Sequence, residues 1–327
     1  AKDYKFMNVL LNFGTLKSGG GQTVALNFLK ALNASSSQKH NYVVIVASES
    51  EIDKFLSDYF PNKFPIVRFP QHPIKRIFKE LIYGKRIIST HGIDIIYSYF
   101  GYSYFPREIP QVIGSADSNL YFPEIRFWAH YKGLPLLKRK LVDEHRKWGL
   151  KRADGVILEN RAMMQRYRKL FSRSNMVSLI LPSLAISPVS KNLKKKEIKN
   201  EKVGLFLCGW QMNKNFMLIP EIAAELKANG VSFKFIFTAP LDHSAIHRSF
   251  IKKLEEYNVE KMVSMVGPVS NSELESLYNE VDFVFLLSKL ESFSNNIIES
   301  WHYNKVLLVS DEPWARAICT NSAIYVN

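Results

Sequence analysis

Phe283–Leu287 is an unbroken apolar run bounded by polar residues, the length and composition of one strand buried on both faces of a parallel sheet. The polar stretch Ser288-Lys289-Leu290-Glu291-Ser292-Phe293-Ser294 follows it. Ile297, Ile298 and Trp301 then recur at helical spacing, which predicts a helix with Asn295 or Asn296 as its cap. Strand, loop and helix in that order aim backbone N–H groups into the crevice beyond the strand's carboxyl end, at the positive end of the helix dipole. Such a place suits a phosphate.

Glu291 lies in this loop and Glu299 in the first turn of the helix, eight positions on. One carboxylate can accept hydrogen bonds from hydroxyls at the loop while the other reaches a second ring across the phosphates, an arrangement that fits a nucleotide sugar. The same residues admit a plainer reading. Asn296 and Glu299 have the spacing of a capping box, and Glu291 can be a solvated loop residue.

The rest of the chain repeats the strand-then-helix order. Phe6–Phe13 reads as a strand, followed by Gly14, the turn Ser18-Gly19-Gly20-Gly21 and a helix over Gln22–Leu32. Adjacent glycines let a backbone close on a ligand, although a flexible turn has the same composition. Tyr42–Ala47, Ile93–Tyr99 and Gln111–Ser115 are further strands. Ser187–Lys202, with Lys194-Lys195-Lys196, is polar and aperiodic and reads as a linker. Val203–Cys208, Phe233–Thr238, Met262–Val266 and Val306–Ser310 continue the pattern. They alternate with helices over Phe216–Asn229, Ser249–Asn258 and Ser272–Tyr278, the last capped by Ser270 or Asn271. The expected organisation is an α/β chain with one domain over residues 1–186, a linker over 187–202 and a second domain over 203–327.

The formal charge of +14 is uneven. Residues 1–190 carry 28 Lys and Arg against 14 Asp and Glu, and residues 191–327 carry 16 of each. A half this basic calls for an anionic neighbour: a membrane surface, a polyprenyl diphosphate or nucleic acid. Ile74–Ile88 interleaves Lys75, Arg76, Lys79, Lys85 and Arg86 with Ile77, Phe78, Leu81, Ile82 and Tyr83, as a basic amphipathic helix does. A second basic patch starts at Lys138-Arg139-Lys140 and continues to Arg152. A solvated helical face is the plainer explanation of both. No apolar run reaches the ~18 residues that span a bilayer and no secretory leader opens the chain, so the expectation is a cytoplasmic protein. Cys208 and Cys319 sit in apolar stretches without metal-ligand spacing, and there is no Asp-x-Asp for a divalent cation.

Four fragments in one order carry a resemblance. The glycine turn near the start comes first, then Val266-Gly267-Pro268-Val269-Ser270 before a helix, Glu280-Val281-Asp282 before the Phe283 strand, and Glu291 through Glu299. In these the chain resembles the family 4 glycosyltransferases over nearly its whole length. The resemblance implies the GT-B architecture, two Rossmann-like doubly wound parallel-sheet domains facing a central cleft. The first domain would hold the acceptor and the second the nucleotide sugar. Further helices follow in that family where this sequence stops, which implies a second domain incomplete at its C-terminus.

The activity implied is retaining, metal-independent hexosyl transfer without a cofactor, from a nucleotide diphosphate sugar to a glycan or polyprenyl-diphosphate-linked acceptor in bacterial surface polysaccharide assembly. Lys214 matches the family's lysine on the donor diphosphate, while Trp210 stands where an arginine is usual. The Ser292, Phe293, Ser294 and Asn295 loop and the Gly19, Gly20 and Gly21 turn would join Lys214 on the phosphates, with Glu299 on the ribose and Glu291 on the sugar. Asp117, after the Gln111–Ser115 strand, keeps the place of a catalytic aspartate, with Ala116 where the family often has histidine. Lys75, Arg76, Lys79, Lys85 and Arg86 would meet the membrane or acceptor, making the enzyme peripheral on the inner face of the cell membrane. An inverting GT-B transferase or a nucleotide-sugar epimerase would need a general base such as Asp117. A basic nucleic-acid-binding α/β protein explains the charge, but carboxylates facing a phosphate backbone repel it, so no nucleic acid is expected.

Overall fold

The computed structural model describes residues 6–17, 20–35, 39–171, 176–181, 200–270 and 272–327. The chain divides into two compact units, one of Ala1–Pro123 with Tyr131–Leu184, the other of Glu124–His130 with Ala185–Asn327.

The first unit runs β1 (Asn8–Phe13), α1 (Gly20–Ala34), β2 (Asn41–Ala47), α2 (Glu51–Tyr59), β3 (Ile66–Phe69), α3 (Pro73–His91), β4 (Ile95–Tyr99), β5 (Gln111–Ser115), α4 (Gly133–Arg152), β6 (Gly155–Leu158), α5 (Arg161–Leu170) and β7 (Met176–Leu179). Its strands form one sheet in the order β3-β2-β1-β4-β5-β6-β7. Every pairing is parallel. Successive strand residues point to opposite faces, and here both faces are buried. Leu11, Val44 and Val46 join Ala25, Leu29, Ile52 and Leu56 of α1 and α2 in one core. Their neighbours Leu10, Val43 and Ile45 join Ile87 of α3, with Ile96 and Phe105, in another. Helix starts follow local chemistry. The Ser50 hydroxyl accepts from Asp53 N at 3.2 Å to cap α2, and Pro73 opens α3.

The second unit runs β8 (Lys202–Phe206), α6 (Ile219–Ala228), β9 (Phe233–Phe237), α7 (Ala245–Glu256), β10 (Val263–Met265), α8 (Leu274–Glu280), β11 (Phe283–Leu286), α9 (Asn295–His302), β12 (Val306–Ser310), α10 (Pro313–Cys319) and β13 (Ile324–Val326). The sheet order is β10-β9-β8-β11-β12-β13, again parallel throughout. Its core is aromatic, with Phe206, Phe216, Phe233, Phe235, Phe237, Phe250 and Phe285 in one cluster.

In both sheets the winding reverses beside the first strand, between β1 and β4 and between β8 and β11. Loops leaving those strands diverge to opposite faces and open a crevice at the carboxyl ends.

Several boundaries differ from the sequence reading. The helix expected from Ser272 starts at Leu274, because Glu273 accepts from the Ser270 backbone N at 2.9 Å and draws the preceding residues into a turn. The other cap proposed there, Asn271, lies outside the described residues, as do residues 187–199 of the expected linker. Lys202, assigned to that linker, is the first residue of β8.

Candidate functional site

The second unit's crevice is built by the loops after β8 and β11. After β8 the chain makes a single 3-10 turn over Met212–Lys214, and Asn215 ends it in the left-handed region at φ 54°. Asparagine tolerates that conformation better than most residues. Lys289 N donates to Asn213 O at 2.8 Å, which ties this turn to the β11 loop. Lys214 Nζ consequently meets Glu291 Oε1 at 2.5 Å, with side chains only 22% and 12% exposed. Residues 77 positions apart and singled out separately are in contact.

Beyond Glu291, Ser292 and Phe293 are half-buried and Ser294 is buried. Ser294, not Asn295 or Asn296, is the N-cap of α9, and its side chain makes no capping bond. The Asn296 amide donates to Leu207 O at 2.9 Å, pinning the helix start to the end of β8. The capping-box reading of Asn296 with Glu299 therefore fails. Glu299 Oε2 instead accepts from Tyr278 OH at 2.9 Å. Burial holds the Glu299 carboxyl above the usual carboxylate range, and the Tyr278 hydrogen bond partly opposes this. An anion arriving here meets an ammonium and an uncapped helix N-terminus; hydroxyls meet two carboxylates.

Trp210 does not substitute for a cationic clamp. Its Nε1 donates to Pro240 O at 2.8 Å, its ring stacks on His247 with centroids 5.3 Å apart, and its edges meet Phe216 and Phe237. It plugs the core beneath the turn that carries Lys214. A cavity of about 240 Å³ beside that turn adds positive charge, with Arg126, Lys253 and Lys289 among its lining residues.

In the first unit the loops after β1 and β4 meet each other at the crevice. Gly19 lies outside the described residues. Gly20 is exposed with open space around it, whereas a Cβ on Gly21 would lie 2.8 Å from the Phe100 ring and 3.0 Å from Leu16. Phe100 follows β4 and has φ 59°, an uncommon conformation for a bulky residue. Gly21 is small to receive this ring. Beneath lies a polar network. Asn12 donates to Ser103 Oγ at 2.7 Å and to Glu80 Oε1 at 3.2 Å, while its own Oδ1 accepts from Gly14 N at 3.0 Å. Glu80 is fully buried, and its carboxylate also accepts from Arg76 at 2.8 Å and from Tyr104 N at 2.9 Å.

That network corrects the reading of Ile74–Ile88. Arg76, placed there among membrane-facing cations, is only 9% exposed and points inward, because Glu80 one turn on offers a buried counter-charge. Lys75, Lys85 and Arg86 are exposed and Lys79 is half-buried. The apolar residues Ile74, Phe78, Leu81, Ile82 and Tyr83 share the outer face with them.

Asp117 follows β5 and is held by Arg146 of α4, Nη1 to Oδ1, at 2.7 Å. Burial raises the Asp117 carboxyl above its usual range, and Arg146 opposes that shift. Nearby, Tyr99 OH donates to Glu159 at 2.6 Å, and burial first, then the Glu159 charge, pushes the phenol upward. Sequence reasoning missed the roles of Tyr278, Arg146 and Glu159, whose only signal was their type. Among the described residues no cluster of three His, Cys, Asp or Glu could hold a metal ion.

Residues 189–323 match the family model described as glycosyl transferases group 1. No curated protein sequence matches the chain. Among solved structures, sucrose-phosphate synthase from Thermosynechococcus elongatus superimposes with a TM-score of 0.74 at 15% identity, over 98% of this chain and 86% of that one. WaaG, a glycosyltransferase involved in lipopolysaccharide biosynthesis, gives 0.67 at 12% identity, over 98% and 86%. Anabaena HepE in complex with UDP and glucose gives 0.64 at 14%, over 98% and 86%. The fold is GT-B. In this GT-B chain the family match covers the unit that contains the Lys214–Glu291 pair and Glu299, and leaves the crevice of the first unit outside it.

Proposed function

We propose that this chain is a retaining glycosyltransferase that moves a hexosyl group from a nucleotide diphosphate sugar to a hydroxyl of a glycan or polyprenyl-diphosphate-linked acceptor in bacterial surface polysaccharide assembly. The observation that carries the reading is the Lys214–Glu291 contact at the β8/β11 crevice, beside the uncapped start of α9 and with Glu299 eight residues on. The group 1 match, the UDP and glucose bound by HepE and the lipopolysaccharide role of WaaG support it.

In this mechanism the bond between the anomeric carbon and the diphosphate oxygen breaks as the acceptor oxygen bonds to the same face. The acceptor's proton passes to the departing phosphate. The protein positions the partners and stabilises charge growing on the diphosphate, through Lys214 and the Ser292–Asn295 backbone amides. Glu299 holds the ribose and Glu291 the sugar. Lys214 leaves Glu291 for the phosphates as the donor binds, freeing the carboxylate for the sugar hydroxyls. No metal ion is needed, so transfer persists in chelator.

Calorimetry against a panel of nucleotide diphosphates and their sugars tests the site. Glu299→Ala is expected to lose about 1.5–3 kcal/mol of nucleotide affinity, as a charge-assisted bond to ribose would. A folded variant with unchanged affinity would remove Glu299 from the site. Asp117 supports a second reading, inverting transfer with Asp117 as general base, because burial raises its carboxyl. The anomeric configuration of the product, followed by NMR, separates the two.

The exposed cations Lys75, Lys85 and Arg86, with Lys79, dock the first unit on an anionic cytoplasmic membrane surface where a lipid-linked acceptor is met. Among the described residues no helix is long and apolar enough to cross a membrane, and none is required for this attachment.

A further inference from the structure

Helix α4 is 20 residues long, yet its buried residues are Gly149 and Leu150 in the last turn. That end is firmly seated. A Cβ on Gly149 would lie 2.7 Å from Tyr102 Cβ, and Trp148 packs against Tyr102 and Tyr104. The turns before it behave differently. Leu134, Leu137, Leu141 and Val142 are 80%, 53%, 63% and 42% exposed and recur at i, i+3, i+7 and i+8, the spacing of one helix face. They border a shallow hollow of about 500 Å³ shared with Lys138 and His145. A soluble surface seldom leaves a continuous apolar ridge uncovered without a partner.

Charge says what the partner is. From Lys138 to Arg152 the helix carries seven Lys and Arg against Asp143 and Glu144. Both acids are engaged, Asp143 by Asn119 at 2.9 Å and Glu144 by Lys147 at 2.8 Å. A partner that is apolar at the ridge and anionic at its flanks has the chemistry of an anionic lipid leaflet, whose acyl region lies just beneath its phosphates. Helix α3 presents the same combination. The two helices flank one segment, since Glu80 of α3 accepts from Tyr104 N while the Tyr104 hydroxyl meets His145 of α4.

We infer that the Leu134–Leu137–Leu141 ridge of α4 inserts into the acyl region of an anionic membrane, with Lys138 and Lys140 on the phosphates. This rests on the membrane reading above and adds to it a second helix and a mode of contact. Attachment through the α3 cations alone is electrostatic and dissolves in salt. Attachment that includes the α4 ridge has an apolar part that salt does not release.

The experiment is sedimentation of the full chain with phosphatidylglycerol-containing vesicles at low and high salt, for wild type and two variants. One combines Leu134→Ser, Leu137→Ser and Leu141→Ser; the other combines Lys75→Gln, Lys79→Gln, Lys85→Gln and Arg86→Gln. The replaced leucines are more than half exposed, and unchanged thermal unfolding checks that the ridge variant folds. Wild type is expected to retain a salt-resistant bound fraction, and the ridge variant to lose about threefold or more of it while still binding at low salt, the remainder falling to the exposed apolar side chains of α3. The α3 variant is expected to weaken mainly at low salt. A separate Leu137→Trp protein is expected to show fluorescence quenching by lipids brominated in the acyl chain. Absence of wild-type binding at low salt would overturn the membrane reading itself. Binding unchanged in the ridge variant, with no quenching of the new tryptophan, would overturn the α4 inference alone. A concentration-dependent dimer that the ridge substitutions abolish would assign the ridge to a second copy of the chain instead.

Discussion

The two sheets share a winding rule and differ in what occupies the crevice it creates. In the second unit the loops after β8 and β11 bring an ammonium and a carboxylate together, beside a helix whose first turn lacks a side-chain cap. In the first unit the loops after β1 and β4 bring together Gly21 and the Phe100 ring over a network of Asn12, Ser103, Glu80 and Arg76. In one crevice the ammonium and the carboxylate face each other, 22% and 12% exposed; in the other the polar groups bond to one another beneath a ring. Topology alone thus locates a possible site, and the side chains decide whether it is used.

The sharpest way to break this contrast is to remove a charge from each crevice. Glu80→Ala leaves Arg76 buried without its counter-charge and withdraws the acceptor for Asn12 and Tyr104 N. The expected loss is about 3–5 kcal/mol of first-unit stability, read by denaturant unfolding. A variant as stable as wild type would mean that the network does not hold the crevice. Lys214→Ala is expected to do the reverse. Turnover falls about 10²–10³-fold as stabilisation of the departing diphosphate is lost, while the unfolding midpoint moves less than in the Glu80 variant, because the Lys214–Glu291 pair is the more exposed of the two. Full activity in that variant would remove the central group of the proposed site.

The sequence made the strands legible because parallel strands buried on both faces are written as apolar runs, such as Val43–Ala47 and Phe283–Leu286. It hid the short edge strands β3, β7 and β13, which have one neighbour each and little to bury. Lys214 stood out only through a family resemblance, since a lysine in a turn has no periodic signal. Helix α3 misled at one residue for a physical reason. Arg76 and Glu80 neutralise one another at i,i+4 inside the unit, so Arg76 faces inward while Lys75, Lys85 and Arg86 stay exposed beside the apolar side chains. The match of Gly21 to Phe100 was equally hidden, because it depends on a left-handed residue about 80 positions away whose type gives no hint of its backbone.

The smallest expected effect is the most discriminating for the first unit. Asp117 sits at the edge of its crevice, paired with Arg146, and looks like one more structural charge. Its carboxyl is nevertheless held above the usual range, so burial costs the ionised form more than Arg146 returns. A raised folded-state pKa means that this group's contribution to stability is fully present below its unfolded value. It is lost as pH rises through the folded value. At neutral pH Asp117 therefore gives the fold no net support, in contrast to Glu80. Asp117→Asn keeps an acceptor for Arg146 and removes the desolvated charge, so thermal unfolding at neutral pH should shift by less than about 1 kcal/mol. The pH dependence of stability in the acidic range should flatten in the variant. A loss as large as that of Glu80→Ala would make Asp117 a structural partner of α4. An intact fold with sharply reduced transfer would instead place Asp117 at the acceptor, as the one residue of the first crevice kept for chemistry.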